Sequence, residues 1–533
     1  MGHKLAIDFG TTNSIVACWN DEAGAVEVIA VPGLSAGAAF DPPSIIPSLI
    51  YVQDGQTGDV ITGQAVRDRA LDRHKGNRLF RNFKRALVTA HTLEPRLIDG
   101  ALWADADAGR VFLRTLVHTL PFAHDEIDQL VLTTPVDAFE SYLDRLSGAV
   151  DGIAPEKIRL VDEPTAAALG YAVTEPGAAV LVFDFGGGTL DLSLVQLPES
   201  REETGGFLDR LRQSGRKQRT AQVIAKAGWV LGGSDIDHWL LVDVLRRIGL
   251  AARDLGSDYG VLVTLCERAK IALTTLEETQ IVFELSGKMH EVRVTRAELE
   301  SLMADHGFFT TLHHVIDKTM HVAHRRGIFR EDLDAVLVIG GVSLMPSVRR
   351  ALAGIFGNTA IRADKPFTAV VEGALHLALG MGLEDYLAHG YGLRHLDPDT
   401  GVHRYEEIVP MDSRYPSGGP IEIILGAAHA GQREVEFVIG EIGAEGVSMV
   451  EVKYEEGQAI FVAQADREAQ VVVPLNEAEA APILARLEPP GEPGEDRLKA
   501  EFRVDGQRRL RVSVTDLKTR KELLRDAIIA TLR

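Results

Sequence analysis

Cysteine is almost absent. Cys18 and Cys266 are the only two in 533 residues, and neither stands in a CxxC or similar spacing, which excludes a disulfide framework and a thiolate metal site. Long apolar runs are missing as well: no stretch approaches the roughly 20 uninterrupted apolar residues of a helical membrane span. The opening MGHKLAIDFG enters a strand directly, without the charged, apolar and small-residue succession of a secretory leader. The expectation is a cytoplasmic protein with no membrane partner. Positive charge is in deficit, with 56 Lys and Arg against 77 Asp and Glu and a net charge of −21. Such a chain repels polyanions, which excludes a nucleic-acid partner. It leaves room for a small phosphate ligand met by local backbone donors and a metal. At roughly 150 residues per domain, the length predicts three or four compact units.

What the chain does have is a repeat. KLAIDFGTTNSIVA (residues 4–17) and AVLVFDFGGGTLDLSLV (residues 179–195) each read as a buried strand, an Asp-Phe-Gly turn with Thr, and a second strand. Glycines in such a turn let backbone N–H groups converge on phosphate oxygens, Thr hydroxyls add donors, and Asp carboxylates reach a hydrated magnesium ion. Two copies can close around one phosphate tail. QLVLTTP (129–135) and DAVLVIGG (334–341) are strand-then-turn elements that feed helices, so residues 1 to about 390 read as α/β, two matched lobes with mostly parallel sheets facing one another across a cleft. The charged tract 199–219 reads as a surface insertion. After about residue 390 short alternating runs predict an all-β domain, with Asp505-Gly506 as a hairpin turn and Pro489-Pro490-Gly491 as a loop. The amphipathic run 521–532 follows, with no long helical tail.

These motifs resemble the 70-kDa heat-shock chaperones of the DnaK type, in the actin, sugar-kinase and heat-shock ATPase superfamily. Ile7-Asp8-Phe9-Gly10-Thr11-Thr12-Asn13-Ser14 is similar to the family's first phosphate loop and Asp184-Phe185-Gly186-Gly187-Gly188-Thr189-Leu190-Asp191 to its second. Between them, Val161-Asp162-Glu163-Pro164-Thr165-Ala166-Ala167-Ala168 resembles a segment that is much less alike in actins and sugar kinases. The resemblance implies a two-lobed actin-like ATPase with ribonuclease-H-like lobes, followed by a β-sandwich, and ATP or ADP with Mg²⁺ as cofactors. It implies that Asp8, Asp184 and Asp191 hold the metal, mostly through water, and that Thr11, Thr12 and Thr189 contact the phosphates. Lys84 matches the lysine that positions the attacking water, and Glu163 the acid at the metal's water shell. Gly232-Gly233-Ser234 resembles a phosphate turn and Gly340-Gly341-Val342-Ser343 an adenosine turn, while Glu267, Lys270 and Thr274 match ribose and adenine contacts on one helical face. Pro135, with Arg145 beyond it, resembles the proline switch between domains. Ile271 and Leu344 stand where the family places arginines, and Phe367 where it places an acid. An apolar clamp loses guanidinium stacking and charge, which implies weaker nucleotide binding.

The implied organisation is an ATPase domain over 1–385, a linker over 386–392 without the family's run of leucines, and a β-sandwich substrate-binding-like domain over 393–533 without the helical lid. The implied function is a monomeric, slowly hydrolysing ATP-dependent chaperone that binds extended apolar polypeptide, with a J-domain protein or nucleotide-exchange factor as partner. Two alternatives stay open: a nucleotide-gated module for one folded partner, and a small-molecule kinase of the same superfamily.

Overall fold

A computed structural model of the chain describes residues 2–37, 44–88, 94–136, 149–150, 152–171, 176–198, 220–285, 287–357, 361–363, 365–387, 389–397, 401–443, 450–455, 458–463, 471–476 and 484–532. The insertion expected at 199–219 and Arg145 fall outside them. The chain divides into two units, Met1–Leu383 and Glu384–Arg533.

In the first unit the apolar runs become central strands that are buried on both faces. All seven residues of Ala179–Phe185 are buried, the composition expected where helices cover a parallel sheet from both sides. Two sheets share one plan. The first runs Ile158–Asp162, Ile127–Thr134, His3–Asp8, Asn13–Asn20, Ala25–Val28; its first three strands are parallel and the last two antiparallel. The second repeats the pattern with Ile361–Arg362, Ala335–Ile339, Ala179–Phe185, Leu190–Gln196 and Thr220–Trp229. The matched halves are thus topological copies, each with its Asp-Phe-Gly turn after the same strand.

Each lobe has its own core, and a third core joins them. Ala6, Ile15 and Ala17 of the first sheet and Val180, Val182 and Leu337 of the second meet the small residues of helices Glu163–Tyr171 and Ala369–Ala378. The two helices approach so closely that a Cβ on Gly373 would lie 1.7 Å from the Ala166 carbonyl oxygen. Interiors are close-packed, so such an approach requires residues without side-chain bulk. This is the physical role of the Thr-Ala-Ala-Ala-Leu-Gly run that follows Glu163.

The second unit is β throughout its described residues. One sheet runs His403–Val409, Gly390–Leu396, Ile439–Gly443, Val471–Pro474; another runs Ile421–Leu425, Leu498–Val504, Arg509–Asp516, Glu522–Thr531. Phe502 pairs with Val512 and Val504 with Leu510, which places the apolar half of the expected hairpin in the core and its charged half in solvent. The run 521–532 is therefore a strand of this sheet. Pro489-Pro490-Gly491 is not a loop: it ends strand Leu484–Gly491, where Gly491 pairs with Gln432 beside a register shift. A bulged pairing leaves prolines without a ladder bond to break.

Where this unit begins, Asp385 is fully buried and accepts from the Tyr415 hydroxyl at 2.5 Å, while Arg508 Nε donates to that hydroxyl at 2.6 Å and Arg508 Nη2 lies 3.3 Å from the carboxylate. Removing one partner of a buried pair strands the other charge. Arg508→Ala is expected to destabilise this unit by about 3–5 kcal/mol. Faster amide hydrogen exchange across Leu498–Val504 and Arg509–Asp516, with exchange in Ala179–Phe185 unchanged, checks it.

Candidate active site

Four turns meet at one cavity of about 230 Å³ in the first unit. The two Asp-Phe-Gly turns touch directly: a Cβ on Gly187 would fall 2.1 Å from Thr12 Oγ1, and one on Gly188 2.8 Å from Thr11 Oγ1. The third turn hangs on the second, with the backbone N–H groups of Gly233 and Ser234 donating to the carbonyls of Gly186 and Gly187 at 3.1 and 2.8 Å. At the fourth, Gly340 has φ of 80° and lies against the Phe185 carbonyl, a conformation and an approach open to glycine alone. The cavity is lined by Asp8, Gly10, Thr11, Thr12 and Asn13 from the first turn, and by Asp184, Gly186, Gly187 and Thr189 from the second. Lys84, Glu163, Gly233, Glu267, Lys270, Thr274, Gly340, Gly341 and Val342 complete its expected members. Gly188, Asp191, Gly232 and Ser343 are not among its lining residues, and Ser234 lines a neighbouring cavity with Thr11 and Thr12. Ser343 Oγ donates to the Gly340 carbonyl at 2.6 Å and so holds the turn. Asp191 pairs across the strands with Asp184 and accepts from the backbone N–H of Val136 at 3.1 Å, which ties the second turn to the residue after Pro135.

The chemistry of the floor is carboxylate excess. Asp8, Glu163 and Asp184 gather around the buried ammonium of Lys84, which is ion-paired with Glu163 and is 2% exposed. Thr133 Oγ1 donates to Asp8 at 2.7 Å. Such a constellation, two glycine–threonine turns over clustered acids and one lysine, suits a polyphosphate with a cation.

Comparison with known proteins agrees. The family model described as Hsp70 protein matches residues 122–379. A protein named Chaperone protein DnaK from Thermosipho africanus is 27% identical over 456 residues, 81% of this chain and 69% of that one. Those of Thermotoga petrophila and Thermotoga maritima are 26% identical with the same coverage. The chain is similar to proteins of the Hsp70 family. Its architecture is accordingly the two-lobed actin-like ATPase with a β-sandwich, and members of this family are ATPases with a chaperone role. No helix among the described residues is long and apolar enough to cross a membrane.

Burial holds protons on Asp8 and Asp184. Desolvation, then the negative Glu163, push Asp8 up to about 7 against the pull of Lys84 and Thr133. Asp184 is raised well above the usual carboxylate range by burial, then by Glu163, Asp8 and Asp191. The donor set fits Mg²⁺, a hard cation bound through few carboxylates and several waters. Among the described residues no three acidic, His or Cys side chains are close enough to chelate an ion directly, so the ion would keep most of its waters.

Sequence reading missed the contacts between the lobes. Arg85 meets Asp235 at 2.8 Å, Arg268 meets Asp72 at 2.8 Å, Lys75 meets Asp258 at 2.7 Å and Arg81 meets Glu267 at 3.6 Å. No local pattern announces pairs that are more than a hundred residues apart. Lys270, expected to face a ribose, is engaged within the protein, with Nζ 2.9 Å from both Asp237 and the Gly233 carbonyl.

Two expectations follow. Gly187→Ala must move Thr12 and part the two turns, so phosphate binding should fall at least about 100-fold, an estimate equal to losing more than one charge-assisted hydrogen bond. Calorimetric titration with ATP and an unchanged circular-dichroism spectrum check it. Without a cation, Asp8 and Asp184 keep protons that the unfolded chain releases near pH 4. The folded state then binds more protons between about pH 4 and 7, and stability contributed by these groups falls as pH rises through that window. Thermal melts in EDTA from pH 5 to 8 should show a downward slope that shrinks in Asp8→Asn and flattens with Mg²⁺-ATP.

Proposed function

We propose that this protein binds ATP and ADP with Mg²⁺, hydrolyses ATP slowly in the cleft of its first unit, and binds extended apolar polypeptide segments through its β unit. The observation that carries the reading is the contact of the two glycine–threonine turns directly above the buried acids and Lys84.

Transfer of a phosphoryl group to water asks for positioning and charge neutralisation more than for a mobile base. Backbone N–H groups of the two turns and the hydroxyls of Thr11, Thr12 and Thr189 would grip the phosphate oxygens. Lys84, held by Glu163, would meet the γ-phosphate and orient the attacking water. Asp8 and Asp184 would carry the hydrated Mg²⁺, which when bound neutralises charge on the phosphates. Asp191 is a positioning residue, since it is not among the cavity's lining residues and fixes the Asp184 turn to Val136. The polypeptide role rests on kinship with DnaK-type proteins and on the β unit, whose strands offer a scaffold for an extended segment. The same kinship supports a J-domain or exchange-factor partner, a monomeric state and action in the cytoplasm, where the two free cysteines stay reduced.

ATP turnover of the pure protein, with and without an extended apolar peptide, tests this. Slow turnover that rises with peptide is expected, with Lys84→Ala and Asp184→Asn each losing at least about 100-fold, the range for removing a preorganised transition-state contact. Turnover indifferent to peptide would favour a module for one folded partner. Turnover unaffected by either substitution would refute the site.

A further inference from the structure

Part of the cavity lining is apolar, and this bears on which nucleotide the protein takes. Ile271, Val342, Leu344, Met345, Phe367 and Val370 line it. Ile271 is 57% exposed, an aliphatic side chain left open at the rim of a cavity. The Phe367 ring lies along the turn backbone: a Cβ placed on Gly341 would be 3.9 Å from its Cε1. The polar side chains of these segments have partners inside the protein, and the Glu267 carboxylate lies 3.6 Å from Arg81. Thr274 Oγ1 donates to the Ile271 carbonyl at 2.7 Å, Ser343 Oγ to the Gly340 carbonyl at 2.6 Å, and Lys270 Nζ to Asp237 and the Gly233 carbonyl.

We infer that this apolar part holds a nucleobase by stacking and apolar contact without reading its edge, so that the substrate class is purine nucleoside triphosphates rather than ATP alone. The inference rests on the nucleotide reading above. Adenine and guanine differ at the six position and at N1, where donor and acceptor are exchanged. Telling them apart requires a donor or acceptor committed to that edge. A site built on hydrogen bonds rejects the wrong partner by a factor of 10⁴–10⁵, whereas an apolar pocket reaches only about 10² even against an isostere with an added polar group. An aromatic face stacks on any base, because every base has a π-face. The side chains present here are of the second kind.

The test is equilibrium competition among Mg²⁺-ATP, Mg²⁺-GTP and Mg²⁺-ITP on the full chain, with tripolyphosphate as a probe that has no base. ATP and GTP affinities within about 30-fold of one another are expected; a larger preference for ATP overturns the inference. Phe367→Ala should weaken ATP and GTP together by about 5- to 150-fold, the range of one stacked base, and leave tripolyphosphate unchanged. An unaltered nucleotide affinity in that variant overturns the inference as well, and Ile271→Ser offers the same comparison on the facing helix. Binding of tripolyphosphate without any nucleotide would sink the base slot but keep the phosphate site. Binding of neither would remove the nucleotide reading itself.

Discussion

Like-charge crowding at the cleft floor is the constraint around which the first unit is organised. Asp8 and Thr133 belong to one sheet, Asp184 and Asp191 to the other, and Glu163 heads the helix packed between them. The Lys84 ammonium is set against this group. The outcome is visible in the proton affinities, since Asp8 and Asp184 are both pushed upward chiefly by burial. A protein selected for stability alone would not collect acids in this way; groups whose proton affinities are displaced by burial and specific neighbours mark functional sites. A multivalent cation would relieve this crowding, and the two glycine–threonine turns line the same cavity.

Holding such a floor together demands a rigid joint between the lobes, and small residues supply it. Ala166, Gly170 and Gly373 let two helices come within backbone contact, and residues of both sheets close over them. Side-chain bulk at Gly373 would separate the helices and carry Glu163 away from Lys84. The alanine run after Glu163 is thus a packing device and a placing device together: the helix that must be thin to fit is also the one that delivers the acid.

Much of this could be read from residue order alone. Strand-turn-strand repeats, the switch from helical to alternating texture near residue 390 and the Asp505-Gly506 hairpin all rest on local periodicity, which survives folding unchanged. That the residues of the two turns would meet was legible for the same reason, because the glycines and threonines of each turn are contiguous, and they line one cavity. What escaped was non-local. Arg85 with Asp235 and Arg268 with Asp72 are joined only by the fold. The commitment of Lys270 to Asp237 likewise depends on helices Gly233–Arg247 and Tyr259–Ala272 lying side by side. Pro489-Pro490 was misread because proline marks a turn only when the partner strand needs its N–H.

The contacts at the cleft mouth differ in kind from those at its floor, and the difference sets what a ligand can do. Lys75 and Arg268 are 59% and 42% exposed in their pairs, and pairs so open to water contribute about 0–1 kcal/mol each. These two together therefore hold the lobes by no more than about 2 kcal/mol. Moving a two-state equilibrium from 1:99 to 99:1 takes about 5.5 kcal/mol of differential binding, while a micromolar ligand binds with about 8 kcal/mol in all. A nucleotide that meets both turns can spend part of its binding energy on the relative position of the lobes. An apolar seal of the same area would resist that, since its contacts are not exchanged for water at little cost. Exposed ion pairs such as Lys75–Asp258 on one side and a packed small-residue joint on the other would let the relative position of the lobes respond to what occupies the cleft.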